Sequence, residues 1–569
     1  MYQPVLDPLA DSLGLSTLCA VLPLVTLFVL LGGLRLRAQW AALAALGVAL
    51  VVAVVVYGMP VMQAGNAAIE GAAFGLFPIM WIVVNAIWIY NMTVVTGHFD
   101  VLRKSVCSIS PDLRIQAVII AFCFGALLEA LAGFGTPVAI TSVMLIALGF
   151  RPVKAAAVAL VANTAPVAFG ALATPIITLS KLTGMPVHDL SSVVGRQTPV
   201  LALFVPVVLV FIVDGRRGVR QTWLPAMVGG VVFAVGQFIA SNYMSAELTD
   251  IIASLAGTAS IVLLLKFWQP RDVLTGEQTD DAEVSDRIAT ATAVAHEVEG
   301  GGRKGGKHAG QRAGVDTALQ ERPATADVAR AYAPYAVIIA VFSIAQFGPV
   351  KEFLNGATKT FAWPGLDVLS PSGTPASATT FKFDWLAAGG TLLLLSGVIT
   401  IAILRLPFGE ALRTYGRTLR QLGWAIFTVA CVLGLAYVMN LSGQTITIGQ
   451  WIAGAGAAFA FLSPILGWLG VAVTGSDTSA NALFGTLQVT AAEKAGLDPL
   501  LLAAANSSGG VLGKMISPQN LAIVAAATGL AGREGELFRR VFGWSIALLG
   551  VMCVLVFLQS TDVLGWMLP

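Results

Sequence analysis

The stretch ANTAPVAFGALATP, residues 162–175, has a second version near the C-terminus, ANSSGGVLGKMISP, residues 505–518. An offset of 343 residues aligns Asn163 with Asn506, Thr164 with Ser507, Gly170 with Gly513, Thr174 with Ser517 and Pro175 with Pro518. Glycine and proline inside an apolar run interrupt a helix. Each stretch therefore predicts a helix that is broken within a largely apolar segment.

A second matching motif precedes each broken helix. GFGT at residues 133–136 corresponds to GSDT at residues 475–478. The threonine of this motif precedes the aligned asparagine by 27 residues in the first half and by 28 in the second. Each half is predicted to hold a hairpin tip followed by a broken helix, and the chain therefore contains an internal repeat.

The composition places this repeat in a membrane. Of the 569 residues, 57% are hydrophobic and 11% are charged, and the mean hydropathy is +0.82. A soluble domain carries about 25% charged residues. The net charge of +2 offers no basic face for nucleic acid. The four histidines and five cysteines show no ligand spacing, so we expect no metal and no cofactor.

A charged segment divides the chain in two. Residues 271–330 hold eleven acidic and eight basic residues and the run GGGRKGGK, and they are predicted to form a disordered cytoplasmic linker. Its glycine-rich run ends in His308, where a phosphate loop would need Ser or Thr, and it follows no strand. The sequence therefore contains no nucleotide-binding motif of the kind that an ATP-driven pump requires.

Loop charges set the orientation. Clusters of Lys and Arg mark cytoplasmic loops, and the acidic N-terminus is predicted to lie outside. The 36 residues 115–150 run between Arg114 and Arg151, which both mark the cytoplasmic side, and are too short for two full spans. They are predicted to form a re-entrant hairpin with its tip at Gly133, Phe134, Gly135, Thr136 and Pro137. The second hairpin starts from the outside, which makes the two units inverted.

The resulting fold class is an all-α polytopic membrane protein. We expect about 11–14 membrane segments in two inverted repeats, each with a re-entrant hairpin and a broken helix, as in secondary transporters. The predicted divisions are scaffold spans at 1–114, 196–270 and 331–445, transport units at 115–195 and 446–535, the linker at 271–330 and a last span at 536–569.

Polar groups at the breaks are predicted to bind a small anion. A helix interrupted in a membrane leaves backbone groups that protein, water or a ligand must satisfy, and half-helix N-termini favour a carboxylate. The predicted substrate-binding residues are Gly133, Thr136, Asn163, Thr164, Ser476, Thr478, Asn506, Ser507, Ser508 and Lys514. The alternative is that small polar residues only allow close helix packing, and it fits Thr174, Ser517, Gly170 and Gly513 best.

Few charged residues remain at membrane depth, where they are costly and usually functional. Glu129 and Asp477 are candidates for proton coupling. Lys514 is expected to pair with the substrate carboxylate or with Asp477. An internal ion pair without a transport role is the alternative. Glu70, near the start of a span, is predicted to lie at the membrane interface.

Four motifs carry a family resemblance. At GFGTP (133–137), ANTAP (162–166), TGSDTSANALFG (474–485) and ANSSGGVLGKMISPQN (505–520), the chain closely resembles the bacterial lactate permease family, which includes L-lactate and glycolate permeases. The resemblance covers nearly the full length, apart from the charged linker. It implies a proton-linked symporter of short 2-hydroxy monocarboxylates in the cytoplasmic (inner) membrane, with protons and the lipid bilayer as its other partners.

The same resemblance implies, through related ion transporters with paired hairpins, an elevator motion, and it leaves a homodimer open. Two further classes remain. Sodium-coupled transport of a mono- or dicarboxylate is one alternative, because Asn and Ser oxygens also suit sodium. A membrane enzyme is the other, but the sequence shows no nucleophile, metal or nucleotide constellation, so we do not expect an enzyme.

Overall fold

The computed structural model describes residues 1–34, 36–133, 135–275, 324–345, 347–370, 373–530 and 533–569. Most of the predicted linker, residues 276–323, lies outside the described residues, and so does Phe134 of the first predicted hairpin tip.

The described chain is almost entirely helical. In the first half the α-helices are α1 (Leu13–Ala20), α2 (Leu22–Phe28), α3 (Ala38–Val55), α4 (Val61–Phe74), α5 (Trp81–Val95), α6 (His98–Cys107), α7 (Leu113–Gln116), α8 (Gly125–Ala132), α9 (Thr136–Ala147), α10 (Pro152–Ala162), α11 (Gly170–Thr183), α12 (Val187–Tyr243) and α13 (Thr249–Leu265). Wider π-helical turns at Val29–Gly33, Gly75–Met80 and Ala117–Phe124 join some of them.

The second half has the same character. Its helices are α14 (Thr325–Ala345), α15 (Gly348–Gly356), α16 (Gly389–Ile403), α17 (Phe408–Gln421), α18 (Gly423–Ser442), α19 (Gln444–Ile452), α20 (Phe459–Thr474), α21 (Asp477–Ala495), α22 (Pro499–Gly513), α23 (Pro518–Ala527) and α24 (Glu534–Gln559). Between α15 and α16, β1 (Lys359–Ala362) and β2 (Thr380–Phe383) form an antiparallel hairpin in which Lys359 pairs with Phe383.

Ten continuous helical runs of the described chain are long and apolar enough to cross a membrane. Some of them join several of the helices above, as Leu13–Leu31 and Leu113–Leu131 do. Pro152–Ala162 and Val167–Thr183, which meet at a bend of 65°, make an eleventh when counted as one span. The long helix α12 leaves helical geometry at Asp214, Gly215 and Thr222, inside the predicted scaffold division 196–270. The expected all-helical polytopic fold is confirmed, with ten or eleven candidate spans in the described chain against the expected 11–14. The inverted repeats and the re-entrant hairpins stay predictions.

Helices α4 and α18 pack closely because small residues line their contact. A side chain on Gly71 would overlap the backbone of Leu433, and one on Gly434 would lie 3.0 Å from the carbonyl of Ala68. Glu70 lies on the same helix and is only 1% exposed. Packing against a neighbouring helix buries the Glu70 side chain within the protein. The interfacial position of Glu70 concerns depth in the membrane and stays a prediction.

The aligned stretches leave helical geometry in two different ways. After α10 the chain passes through a 3-10 turn, Val167–Phe169, and then through Ala171, Leu172 and Ala173, whose φ angles of 42°, 52° and 57° are left-handed. After α22 it passes through a 3-10 turn, Lys514–Ile516, and an extended residue, Ser517, whose hydroxyl caps α23. Both interruptions lie inside the stretches that the sequence singled out.

The described glycines of the two predicted hairpin tips lie against the same helix. Gly135 and Gly475 each have a φ of +75°, which glycine adopts without strain. A side chain on Gly135 would overlap Ile523, and one on Gly475 would overlap Gln519. Both of these neighbours belong to α23, so the two tips converge on the helix that follows the second break.

Candidate functional site

Glu129 joins the two halves of the chain. It lies on α8, is 2% exposed, and its Oε1 accepts a hydrogen bond of 2.5 Å from Lys514 Nζ. Its other oxygen, Oε2, accepts a hydrogen bond of 2.9 Å from Asn163 Nδ2. A carboxylate of the first half therefore holds a cation of the second half and an amide at the first helix break.

Gly170 makes room for this carboxylate. A Cβ atom at Gly170 would lie 3.0 Å from Glu129 Oε1 and 3.2 Å from Glu129 Cγ, closer than side-chain atoms normally approach. A Cβ at Gly133, at the hairpin tip, would lie 3.9 Å from the same Oε1. The absence of a side chain at Gly170 thus leaves space for Glu129, whereas a Cβ at Gly133 would make an ordinary contact with it.

Lys514 lies in the 3-10 turn that interrupts the second broken helix and is 6% exposed. The expected pairing with Asp477 is not what the structure shows, because the Lys514 ammonium forms its ion pair with Glu129. Its backbone is fixed from the other side, since the carbonyl of Lys514 accepts hydrogen bonds of 3.0 Å from Ser517 Oγ and Asn520 Nδ2. The cation therefore stands at a defined place in the break.

Asp477 begins α21 and is 3% exposed. Its Oδ2 accepts hydrogen bonds from Ser507 Oγ at 2.5 Å and from Asn481 Nδ2 at 3.4 Å. A side chain on Gly510 would overlap Asp477 Oδ1, so this glycine also leaves space for a carboxylate. Each predicted proton-coupling residue thus lies beside a glycine of a broken helix.

The aligned asparagines have different surroundings. Asn506 is fully buried and sits in a closed network, donating to Asn481 Oδ1 at 2.8 Å and accepting from Gln488 Nε2 at 3.2 Å. Gln488 is held in turn by Ser463, whose hydroxyl donates to Gln488 Oε1 at 2.9 Å. Asn163 donates to Glu129 but its Oδ1 has no partner. Asn506 therefore braces the second half, whereas Asn163 keeps a free acceptor.

Four buried polar atoms among the predicted site residues lack a hydrogen-bond partner: Thr136 Oγ1, Asn163 Oδ1, Asp477 Oδ1 and Ser508 Oγ. Leaving a buried donor or acceptor unsatisfied costs about 1–3 kcal/mol. Buried polar groups without a protein partner are therefore expected to face a water or a polar ligand. These four atoms are two hydroxyl oxygens and two acceptor oxygens.

The remaining predicted residues use their side chains locally or lie nearer the surface. The Thr164 hydroxyl donates to the carbonyl of Val161 at 2.7 Å. The Ser476 hydroxyl caps α21 by accepting from the Ser479 amide at 3.3 Å. Thr478 is partly buried in the first turn of the same helix. These three residues shape the breaks and tips more than they offer free polar groups.

Sequence reasoning missed Asp250. It lies in the first turn of α13, is fully buried, and interacts electrostatically with Glu129. Its Oδ1 accepts a hydrogen bond of 2.9 Å from Gln237 Nε2, which also donates to the carbonyl of Ala165 at 3.2 Å, at the first helix break. The available signal is an acidic residue at the edge of an apolar run within the predicted scaffold division 196–270.

Comparisons with known proteins agree with this architecture. Residues 16–561 match the L-lactate permease family. The L-lactate permease of Bacillus subtilis strain 168 is 40% identical over 584 residues, covering 99% of each chain. The L-lactate permease of Escherichia coli K12 is 40% identical over 581 residues, covering 100% of each chain. The glycolate permease of the same strain is 41% identical over 572 residues, covering 98% of this chain and 97% of that one.

Matches of this extent, together with ten candidate spanning helices, identify a multi-pass membrane transporter rather than an enzyme. The chain belongs to the L-lactate permease family.

Proposed function

We propose that this permease carries L-lactate, glycolate and related short 2-hydroxy monocarboxylates across the cytoplasmic membrane together with a proton. The names of its relatives support the substrates. The observation that carries the proton coupling is the buried ion pair between Glu129 and Lys514. This pair places one cation and one competing carboxylate at the centre of the candidate site.

The competition between two carboxylates explains the coupling. A substrate carboxylate that binds Lys514 must displace Glu129 Oε1 from the same ammonium group. Breaking a buried ion pair leaves an uncompensated charge, which costs about 3–5 kcal/mol. Transfer of a proton to Glu129 removes that charge. Substrate binding and protonation of Glu129 then favour each other, and one proton accompanies one monocarboxylate.

The substrate hydroxyl is assigned to the partner-free polar atoms. Asn163 already donates to Glu129 Oε2, which places its free Oδ1 next to the ion pair. This oxygen can accept a hydrogen bond from the 2-hydroxyl group, while the hydroxyls of Thr136 and Ser508 can donate to the carboxylate. A site of this kind rejects a solute without the hydroxyl, because Asn163 Oδ1 then stays unpaired.

Transport of the bound solute is assigned to a movement of the two units 115–195 and 446–535 as one body, in an elevator-like motion. Two contacts support a shared movement. Both hairpin tips contact α23, and Asn481 Nδ2 of the second unit donates to the carbonyl of Pro175 of the first at 3.2 Å. We further propose that the two units are inverted, with the N-terminus outside and the linker 271–330 inside. Protease accessibility of tags at these two places in intact cells tests the orientation.

The central test is transport by the purified chain in proteoliposomes. An imposed inside-alkaline pH gradient, in buffers free of sodium, should drive accumulation of labelled L-lactate, and a protonophore should abolish it. Replacement of the cation, Lys514→Met, should remove binding and transport. The matched control is Lys494→Met, since Lys494 is exposed at the end of α21.

Two results would contradict the proposal. Accumulation that requires sodium, and not a pH gradient, would assign the chain to sodium-coupled transport. Full uptake by the Lys514→Met variant would show that the ion pair between Glu129 and Lys514 has only a structural role.

A further inference from the structure

Helix α17 is held to the rest of the protein by one face. Ala411, Thr414 and Thr418 are buried on that face. The ring nitrogen of Trp88, on α5, donates to the carbonyl of Ala411 at 3.0 Å, and Asn91 Nδ2 donates to Thr418 Oγ1 at 2.9 Å. The buried face of α17 therefore packs along α5, and the other two faces of α17 point away from α5.

An apolar stripe runs along a second face of α17. Phe408, Leu412 and Leu419 are 69%, 61% and 42% exposed. At 3.6 residues per turn these three side chains fall within about 40° of one another around the helix axis. Exposed apolar side chains on a helix between two membrane segments are expected to contact lipid rather than water.

A basic stripe occupies a third face. Arg413, Arg417 and Arg420 are exposed, and at 3.6 residues per turn they lie about 120° around the axis from the apolar stripe. Glu410 is the carboxylate near them, 3.4 Å from Arg413 Nη1 and 3.2 Å from Arg417 Nη1. Within the described ranges, one carboxylate faces three guanidinium groups, which leaves the stripe positively charged.

Aromatic residues mark the depth of this helix. Trp424 begins the next span, α18, four residues after Arg420, and its ring lies 6.3 Å from that of Trp40. Trp40 in turn follows Arg37 at the start of α3. Trp residues concentrate at the boundary between the hydrocarbon core and the head groups. The basic stripe of α17 therefore lies at the level of the head groups.

We propose that the basic stripe of α17, with Trp424, binds the head groups of acidic phospholipids, while Phe408, Leu412 and Leu419 enter the acyl-chain region. The charge of the stripe complements phosphate. The next helix, α18, also begins with exposed aromatic side chains, Trp424 and Phe427, which favours a lipid leaflet over an acidic protein. An interfacial helix that follows α16 and precedes α18 would thus anchor the scaffold to its own leaflet.

The first test measures retained lipid. The purified chain is exchanged into mixed micelles of phosphatidylglycerol and phosphatidylethanolamine, and the bound lipids are quantified by mass spectrometry. An arginine near an acidic surface favours binding by about 1 kcal/mol, or about fivefold. We expect the variant R413Q/R417Q/R420Q to retain at least about tenfold less phosphatidylglycerol than the unchanged chain.

The matched control removes the same charge elsewhere. Arg533, Arg539 and Arg540 are exposed around the start of α24, and R533Q/R539Q/R540Q should keep most of the bound phosphatidylglycerol. An equal loss in both triple variants would show a general effect of net charge and would overturn the proposal. So would unchanged retention in the α17 variant.

The second test measures depth. Cys19 and Cys107 are replaced, because the other three cysteines are buried, and a nitroxide is attached at L412C or at R417C. In lipid vesicles the label at 412 should be relaxed mainly by oxygen, and the label at 417 mainly by a water-soluble nickel complex. Equal relaxation of both labels by the nickel complex would show that α17 does not lie at the membrane interface, and would overturn the proposal. Protection of position 412 in native membranes but not in vesicles would assign the surface to a protein partner and overturn the proposal.

Discussion

The variant Glu129→Gln separates substrate binding from proton coupling. Glutamine has the shape of a protonated glutamate and can keep the hydrogen bond from Asn163 Nδ2, but it carries no charge for Lys514. The side chain at position 129 is then permanently in the state that we assign to the proton-loaded carrier. The substrate no longer competes with a carboxylate for the ammonium group.

The expected effect on affinity follows from the ion pair. A hydrogen bond to a charged group contributes about 1.5–3 kcal/mol in folded proteins. The unchanged chain must give up this interaction when lactate takes Lys514, and the variant does not. At neutral pH we expect Glu129→Gln to bind L-lactate about 10- to 150-fold more tightly. Without lactate the variant should be less stable, because Lys514 then lacks a counter-charge, and added lactate should raise its melting temperature.

Transport assays should show the matching loss of coupling. The variant should exchange internal for external lactate, because exchange needs no net proton movement, but a pH gradient should not drive accumulation. Glu493→Gln, at an exposed glutamate of α21, serves as the control and should behave as the unchanged chain. Retained accumulation in Glu129→Gln, or lactate binding weaker than that of the unchanged chain, would refute the assignment of Glu129.

Three further predictions use the same assays. Gly170→Ala brings a methyl group 3.0 Å from Glu129 Oε1 and should reduce pH-driven uptake, whereas Gly535→Ala, with nothing within 4 Å, should not. Asn163→Ala should abolish uptake of L-lactate and lower the melting temperature, because it removes one hydrogen bond to the buried Glu129 carboxylate. Asn506→Ala should also lower the melting temperature, since it opens a closed hydrogen-bond network. Asp250→Asn should preserve exchange and alter the pH dependence of uptake; an unchanged pH profile would limit Asp250 to holding Gln237.

The positions of the helix breaks could be predicted from the sequence because their causes are local. Glycine and proline in the two aligned stretches disturb helical geometry wherever the chain folds. The structure interrupts helices at the 3-10 turns Val167–Phe169 and Lys514–Ile516, inside both stretches. The membrane spans could also be predicted from the sequence, since a run of about 20 apolar residues is a local property.

The partners of the charged residues could not be predicted in the same way. Glu129 and Lys514 are 385 residues apart in the chain, and no periodicity connects them. The burial of Glu70 depends on how closely α18 approaches α4, which the small residues of both helices decide together. Asp250 was overlooked because a single carboxylate at a span edge does not reveal that Gln237 links it to a helix break.

Both halves of the internal repeat contain a helix break, but the charged residues of the candidate site lie at positions where the two halves differ. With the offset of 343, Lys514 aligns with Ala171, and the motif alignment places Asp477 opposite Gly135. Neither half therefore contains both members of the ion pair. Because the anion comes from α8 and the cation from the turn after α22, releasing the pair changes a contact between the two halves. In the proposed mechanism, a proton and a substrate that meet at this contact would influence how both units move, which a pair inside one half could not do.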